Sequence, residues 1–150
     1  MATTLADDCQ LNDEFIEHVY LFFPLHDIGK IGIPAHVLLK KGILDSGERE
    51  VMQTHVDKGQ EIIDNILAAF EFSDHQFAQI LRNIAQHHHE TIDGMGYPNG
   101  LRGEEIPIEA HIMAVADIFE ALTSTRHYKQ AWSVDEAFDK LREMSEHKLE

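Results

Sequence analysis

Apolar residues recur along this chain at the three- and four-residue spacing of α-helices, and no segment alternates convincingly between apolar and polar residues as a half-buried β-strand does. The first helical pattern follows Asn12, a residue type that commonly caps helices, and its apolar positions continue to Leu25. Pro24 interrupts this pattern, because proline lacks the amide hydrogen that a helix interior needs. We therefore expect the helix to bend or break just before His26 and Asp27.

Further helical patterns follow residues that favour helix N-termini, namely Pro34, Asp45, Ser73, Pro107 and Ser133. The Asp and both Ser residues are each followed three positions later by Glu or Gln, which is the arrangement of a capping box. Residues 91–107 contain four glycines and two prolines, a composition that predicts a long loop. The pattern as a whole predicts an all-α fold of about five or six helices.

The length of 150 residues is usual for one domain, so we expect a single core within residues 12–150 and a frayed N-terminus over residues 1–11. The formal net charge is −15 at pH 7, because 27 acidic residues face 12 basic ones. A chain this acidic is poorly suited to bind duplex nucleic acid or an anionic membrane through general electrostatics. Eleven residues are nevertheless histidines, the commonest metal ligands.

The single cysteine, Cys9, excludes an intrachain disulfide and a cysteine-based zinc site. The most apolar run, residues 19–25, is far too short to span a bilayer. The first ten residues lack the basic and apolar regions of a signal peptide. We therefore expect a soluble, cytoplasmic protein without membrane insertion.

Four places along the chain carry histidine or aspartate where core packing alone does not require them. The His26-Asp27 pair offers a nitrogen ligand and a carboxylate able to bridge two ions, although such pairs also occur on ordinary surfaces. His55 follows Met52 by three residues and falls on the apolar face of its helix, where it is either a hydrogen-bonded core residue or a ligand.

The third place is the end of the helix that precedes the glycine-rich loop. His88 follows Ile84 by four residues and so extends the buried stripe of this helix, and His89 is its neighbour. Several imidazoles at a buried helix end point to a metal ion, because charged rings would repel each other there. The alternative is a histidine-rich helix end left in water.

Asp117, the fourth place, is the only acid in the segment 112–119, which is otherwise apolar. We expect its carboxylate to be buried and held by a metal ion, or else by Arg126 or another cation. Together the four places supply four imidazoles and two carboxylates, a ligand set suited to two ions such as iron or manganese. Two such ions activate water for in-line attack on phosphorus, so this set favours a phosphodiester substrate.

A phosphodiester would also need positive charge near the metals, and basic residues are scarce in this chain. Lys30 follows His26 by four residues, and Arg126 and Lys129 follow the helical pattern that contains Asp117. We expect these three cations to supply that local positive charge. The alternative is that each is an ordinary surface cation.

Five sequence blocks, taken in order, resemble the HD-GYP family, a subgroup of the HD metal-dependent phosphohydrolase superfamily. They are HDIGKIGIP at 26–34, MQTHVDKG around His55, HHETIDGMGYP at 88–98, GLRGEEIP at 100–107 and AVADIFEALTSTRHYK at 114–129. The resemblance covers about residues 22 to 142. It implies an HD-domain helical bundle with a long GYP loop, which hydrolyses the bacterial second messenger cyclic di-GMP to the linear dinucleotide or GMP.

The resemblance also implies a role for each matching residue. The metal ligands would be His26, Asp27, His55, His88, His89 and Asp117, with Asp27 bridging two divalent ions, iron or manganese. Lys30 would lie near the scissile phosphate and act in catalysis with Asp27. Arg126 and Lys129 would bind substrate phosphate, and Gly94, Gly96, Tyr97 and Pro98 would form the loop that recognises substrate.

Family members usually carry further helices before the HD pair and continue beyond the last helix predicted here. Only 25 residues precede His26, so the resemblance implies that this chain lacks the first helices, one of their ligands, and the C-terminal end of the domain. Two alternatives therefore stay open: a non-catalytic signalling module, and a phosphohydrolase acting on another nucleotide. Expected partners, besides cyclic di-GMP, are diguanylate cyclase, sensor or receiver domains, and a second copy of the chain in a homodimer.

Overall fold

The helical patterns of the sequence are realised as helices in the computed structural model, which describes residues 11–125 and 131–144. Within these ranges the only regular secondary structure is helical, and one isolated β-bridge joins Asp93 and Arg102. The all-α prediction is confirmed. The predicted frayed segment, apart from Leu11, lies outside the described residues.

The chain divides into two compact units, Met1–His88 and His89–Glu150. The helices of the first unit are α1 (Asp13–Phe22), α2 (Ala35–Leu38), α3 (Ser46–Gln53), α4 (His55–Ala69) and α5 (Gln76–His87), with 3₁₀ turns at Phe23–Leu25 and Ile28–Gly32. The described helices of the second unit are α6 (Ile108–Thr123) and α7 (Val134–Met144), with a 3₁₀ turn at Gly103–Glu105. The described residues thus form seven α-helices, somewhat more than the sequence pattern predicts.

Helix α4 organises the first unit, because it packs against both α5 and the 3₁₀ turn Ile28–Gly32, while α1 packs against α5. The buried apolar side chains of α1, α4 and α5 are Val19, Phe22, Val56, Ile63, Leu67, Ala78, Leu81, Ile84 and Ala85. Burial of each large side chain in such a set stabilises the fold by about 1.5 to 3 kcal/mol. This core therefore fixes how the ends of α4 and α5 lie relative to the 3₁₀ turn.

The first helix begins and ends as the sequence predicts. The side chain of Asn12 accepts a hydrogen bond from the backbone N–H of Phe15 at 2.8 Å, which satisfies one of the free amides of the first turn. The α-helix ends at Phe22, and Pro24 lies within the following 3₁₀ turn. The chain therefore leaves helical geometry directly before His26.

The apolar stripe that follows Asp45 is shared by two helices. Asp45 and Glu48 form the predicted capping box at the start of α3. The Thr54 hydroxyl donates a hydrogen bond to the Val51 carbonyl at 2.7 Å, an interaction that bends helices, and α4 begins anew at His55. His55 is therefore the first residue of a helix.

One predicted cap is wrong. Ser73 does not cap α5, which begins at Gln76 after an extended His75 that provides no side-chain hydrogen bond. The Ser73 carbonyl instead accepts a hydrogen bond from the Arg82 guanidinium, whose Nε also binds Asp64 on α4 at 2.6 Å. Contacts between α4 and α5 thus shape this corner, where the sequence pattern suggests a local cap.

In the second unit, the predicted loop and last helix are both found. Ser133 and Glu136 cap α7 reciprocally through side-chain and backbone hydrogen bonds. Helices α6 and α7 pack together, and the Phe119 and Phe138 rings lie 5.3 Å apart. Residues 91–107 form a loop with one 3₁₀ turn. None of the helices in the described ranges is long and apolar enough to cross a membrane.

Candidate metal centre

The HD pair is placed by a close backbone contact within the first unit. His26 and Asp27 lie between the two 3₁₀ turns, and Gly29 is buried against the start of α4. A Cβ atom on Gly29 would overlap the His55 carbonyl oxygen and the Gly59 amide nitrogen. Only glycine permits this approach, which brings Asp27 beside His55.

The side chains of Asp27, His55 and His88 form the candidate centre. Their ligand atoms all lie within 4.8 Å of one another. Oδ1 of Asp27 is 3.4 Å from Nε2 of His55 and 3.9 Å from Nε2 of His88, while Oδ2 is 3.3 Å from Nε2 of His26. His55 and His88 are only 1% and 2% exposed, whereas the Asp27 side chain is 28% exposed, so the centre is buried on its histidine side and open to solvent at Asp27.

Backbone carbonyl groups orient the three imidazoles. The Nδ1 atoms of His26, His55 and His88 lie 2.5, 2.8 and 2.9 Å from the carbonyl oxygens of Phe23, Met52 and Ile84, respectively. A carbonyl oxygen only accepts hydrogen bonds, so each Nδ1 carries a proton, and the neutral rings of His55 and His88 keep their lone pair on Nε2. Metal-binding histidines are commonly oriented in this way.

The electrostatic environment also favours the protonation states that a metal ion requires. Burial, reinforced by the charge of His26, lowers the pKa of His88 to about 4, and burial lowers the pKa of His55. Burial raises the pKa of Asp27, but hydrogen bonds with His26 and Lys30 outweigh it and hold this pKa well below its ordinary value. At neutral pH the centre therefore offers two neutral imidazoles and one carboxylate.

The donor set fits a divalent metal ion. Oδ1 of Asp27 is buried and receives no hydrogen bond from the residues that the structure describes. A buried carboxylate oxygen in this position has a strong need for a cation. Imidazole nitrogen and carboxylate oxygen suit borderline and hard divalent metals, whereas a thiolate site would favour softer ones.

Lys30 contributes a cation to the same centre, since its ammonium group donates a hydrogen bond to Oδ2 of Asp27 and forms an ion pair with it. The side chain is 39% exposed, so its charge is also accessible from solvent. The structure thus places this lysine on the candidate metal ligand, and its expected position near the scissile phosphate stays a prediction.

The second unit carries the loop residues singled out in the sequence. Gly94 has a positive φ of 73°, and a Cβ on Gly96 would lie 2.5 Å from the Cα of Glu90. The Tyr97 ring stacks on the His89 ring with centroids 4.7 Å apart. Pro98 follows Tyr97 through a cis peptide bond. These residues therefore form one folded loop anchored on the chain directly after His88.

The remaining predicted site residues are placed differently or lie outside the description. Asp117 is on α6 and is half-buried, where the sequence predicts a buried carboxylate. The Asp117 side chain on α6 is thus partly accessible to solvent, and the predicted full burial is not found. Arg126 and Lys129 lie outside the described residues. The structure thus brings together His26, Asp27, Lys30, His55 and His88, all within the first unit.

Sequence reasoning missed Glu90. This residue directly follows the histidine pair and is only 3% exposed, although an isolated glutamate at a helix end is usually solvated. Its carboxylate accepts hydrogen bonds from two backbone amides farther along the loop. The available signal was an acid placed between a buried helix end and a glycine-rich segment.

The all-α fold and the His-Asp cluster define a helical protein with a candidate metal centre. A family model described as HD domain matches residues 1–150, and the chain belongs to this HD domain family. The resemblance to the HD-GYP subgroup is confirmed as well, because relatives that cover most of the chain are named as cyclic di-GMP phosphodiesterases.

Three relatives illustrate the similarity. The cyclic di-GMP phosphodiesterase response regulator RpfG of Xanthomonas campestris is 45% identical over 91% of this chain and 34% of its own length. A cyclic di-GMP phosphodiesterase of Thermotoga maritima is 41% identical over 94% of this chain and 36% of its own. A 3'3'-cGAMP-specific phosphodiesterase 2 of Vibrio cholerae is 43% identical over 79% of this chain and 21% of its own. The chain thus spans about a third or less of the length of these curated relatives.

Proposed function

We propose that this chain is a metal-dependent phosphodiesterase domain that hydrolyses cyclic di-GMP to the linear dinucleotide or GMP in bacterial signalling. The observation that carries the proposal is the cluster of Asp27 with the buried residues His55 and His88, in which both imidazoles present Nε2 to one carboxylate. The names of relatives at 41% and 45% identity supply the substrate class.

The proposed cofactors are two divalent ions, iron or manganese. His26, Asp27, His55 and His88 would hold them in the first unit, and the family resemblance assigns His89 and Asp117 as further ligands. When bound, the ions supply Lewis acidity to the phosphodiester and lower the pKa of water at the site. Asp27 suits the bridging role because its two oxygens face different partners, with His55 and His88 near Oδ1 and His26 and Lys30 near Oδ2.

The remaining residues of the proposal act on the substrate. The Lys30 ammonium supplies a fixed positive charge beside Asp27, where it would stabilise negative charge that develops on the phosphoryl oxygens. Arg126 and Lys129 would hold the phosphate groups. The loop of Gly94, Gly96, Tyr97 and Pro98 would recognise the nucleotide, with glycine backbone that permits close approach.

Net charge makes the metal ions essential to this proposal. A chain with a net charge of −15 repels an anionic dinucleotide over long range, so substrate attraction must be local. Two divalent ions together with Lys30, Arg126 and Lys129 would provide it. Loss of the ions should therefore weaken substrate binding as well as abolish hydrolysis.

A second candidate substrate is 3'3'-cGAMP, because a relative at 43% identity is named as specific for it. Both dinucleotides carry the same pair of phosphodiesters, so the metal centre does not distinguish them. Discrimination would come from the loop that contacts the bases. The remaining alternative is a non-catalytic module that binds a partner or the dinucleotide without turnover.

The proposal also includes protein partners, an oligomeric state and a location. The proposed partners are diguanylate cyclase, sensor or receiver domains, the proposed oligomer is a homodimer, and the proposed location is the cytoplasm.

The test is metal analysis combined with a product assay. Protein purified anaerobically and loaded with manganese or ferrous iron is incubated with cyclic di-GMP, 3'3'-cGAMP and linear dinucleotide, and products are separated by liquid chromatography. We expect hydrolysis of at least one cyclic dinucleotide and about two ions per chain. Less than about one ion per chain, with dinucleotide binding but no turnover, would favour the non-catalytic module.

A further inference from the structure

Glu90 stands at the junction between the histidine pair and the glycine-rich loop. Its side chain is almost fully buried. Oε1 accepts a hydrogen bond from the backbone N–H of Asn99 at 2.7 Å, and Oε2 accepts one from the N–H of Leu101 at 3.0 Å. One carboxylate thus binds two backbone amides that lie nine and eleven residues farther along the chain.

The same region of the loop closes onto the start of the second unit through its backbone. A Cβ on Gly96 would lie 2.5 Å from the Thr91 amide nitrogen and 2.6 Å from the His89 carbonyl oxygen. The Tyr97 N–H donates a hydrogen bond to that same carbonyl at 3.2 Å. Residues 96–101 therefore pack against residues 89–91. The Glu90 side chain holds the C-terminal part of this segment through its hydrogen bonds with the amides of Asn99 and Leu101.

Both oxygens of Glu90 are engaged by amide donors, an arrangement that differs from that of Asp27, whose Oδ1 receives no hydrogen bond from the described residues. A carboxylate whose oxygens both accept hydrogen bonds from backbone amides is poorly placed to bind a metal ion. Its two hydrogen bonds instead stabilise one conformation of the loop, and we call this arrangement the Glu90 clamp. Such bonds are effective because hydrogen bonds to a carboxylate are stronger than those to a neutral acceptor.

We propose that Glu90 is a positioning residue, which holds the loop of residues 94–101 closed so that Tyr97 and the glycine backbone are presented to the substrate in one fixed conformation. This inference rests on the proposed function, because it assigns the loop to cyclic dinucleotide binding. Glu90 itself contacts no substrate and acts through Asn99 and Leu101. A loop held in advance binds its ligand with a smaller loss of conformational entropy.

The test compares Glu90→Gln with Glu105→Gln in the metal-loaded full chain. The Glu90 variant keeps the size of the side chain but replaces one acceptor oxygen with an NH₂ group, which cannot accept the second amide hydrogen bond. Glu105 is the matched control, because its Oε2 also accepts a backbone hydrogen bond within this loop, from Arg102 at 2.9 Å, but its side chain is exposed.

Two measurements are made on each variant: amide hydrogen exchange at residues 99 and 101, and steady-state hydrolysis of cyclic di-GMP. For Glu90→Gln we expect exchange at both amides to accelerate about tenfold and KM to rise about tenfold, with kcat within about twofold and metal content unchanged. Glu105→Gln should change neither quantity by more than about twofold. A purely structural role would instead lower kcat and thermal stability without this selective rise in KM.

Unchanged exchange at residues 99 and 101 in Glu90→Gln would overturn the clamp. Faster exchange with unchanged KM would overturn its role in substrate binding, and loss of bound metal would assign Glu90 to the metal centre instead. If Glu90→Gln fails to fold, Glu90→Asp serves in its place, since it keeps both oxygens one methylene shorter and should raise exchange and KM by smaller factors. If the parent chain hydrolyses no cyclic dinucleotide, the proposed function fails while the exchange measurement still decides whether Glu90 closes the loop.

Discussion

Gly29 lies directly on the backbone of His55, so closely that a Cβ atom on the glycine would overlap the His55 carbonyl oxygen. This contact joins the turn that carries Asp27 to the first residue of α4. The distance of 3.4 Å between Oδ1 of Asp27 and Nε2 of His55 depends on it. Two candidate ligands that are 28 positions apart in the sequence thereby become neighbours.

Gly29→Ala should therefore damage both the fold and the centre. The new methyl group meets backbone atoms that cannot rotate away, so the turn must move off α4, and we expect a loss of at least about 3 kcal/mol in the free energy of unfolding. Metal affinity should fall as well, because Asp27 moves with the turn. Urea denaturation and calorimetric titration with manganese measure the two effects.

Gly59→Ala is the matched control for this substitution. Gly59 lies on the other side of the same contact, but a Cβ there would be 3.5 Å from the Gly29 amide nitrogen, an ordinary contact distance. Alanine is favoured over glycine within a helix by up to about 1 kcal/mol, so stability should be equal or higher. A Gly29→Ala variant as stable as Gly59→Ala would contradict this account of how the HD pair is placed.

His55→Ala and Asp27→Asn should each abolish hydrolysis and remove at least one metal ion per chain. His55→Ala removes one of the nitrogen donors that the metal ion needs. Asp27→Asn replaces the carboxylate with a neutral amide, which cannot supply the negative charge that the centre offers to a metal ion. His36→Ala is the control, because His36 is an exposed histidine on α2. Metal analysis of anaerobically purified protein, run beside the product assay, checks both effects. Turnover that survived both substitutions would refute the metal mechanism.

Helix positions could be predicted from the sequence because the signals are local. Asn12, Asp45 and Ser133 cap the helices that follow them, and their hydrogen bonds span only three residues. Ser73 has the same signature but does not cap α5. Its carbonyl instead accepts a hydrogen bond from Arg82, which also binds Asp64, and these contacts depend on how α4 packs on α5. Local pattern does not carry that information.

Some features of the candidate site could likewise be predicted from the sequence, whereas others depend on contacts between distant residues. The matches to family motifs named the histidines and Asp27 before any contact was known, and the described structure brings four of these residues together. The roles of Lys30 and Glu90 depend on where the chain folds in three dimensions. Glu90 in particular reaches amides nine and eleven residues ahead in an irregular loop, and no periodic pattern predicts such a contact.

The metal-free protein should lose stability as the pH falls from 6.5 towards 4. Burial holds the pKa of His88 at about 4 in the folded state, against 6.5 for a free side chain. Between these values the unfolded chain binds a proton that the folded chain excludes, so stability is complete above pH 6.5 and declines below it. The full effect corresponds to about 3 kcal/mol.

The comparison of wild type with His88→Gln isolates this contribution, because glutamine does not titrate. Urea unfolding of chelator-treated protein at several pH values should give a shallower decline for the variant, while His36→Gln should follow the wild type. The lowered pKa of Asp27 acts in a separate window, since it costs stability only as the pH falls below the ordinary aspartate value of 3.8. Equal slopes for wild type and His88→Gln between pH 6.5 and 4 would be inconsistent with a neutral buried His88.

Lys30→Met should separate catalysis from metal binding. The methionine side chain keeps the apolar volume but removes the ammonium group that donates to Oδ2 of Asp27. A cation beside the carboxylate competes with a metal ion for its negative charge, so metal content should be unchanged or higher in the variant. Because the charge that would stabilise the phosphoryl oxygens is lost, kcat should fall about 100-fold or more. Lys58→Met is the control, since the Lys58 ammonium group donates its hydrogen bond to the Thr54 hydroxyl at 2.9 Å rather than to Asp27. A parallel loss of metal and activity in Lys30→Met would show instead that the lysine serves only to position Asp27.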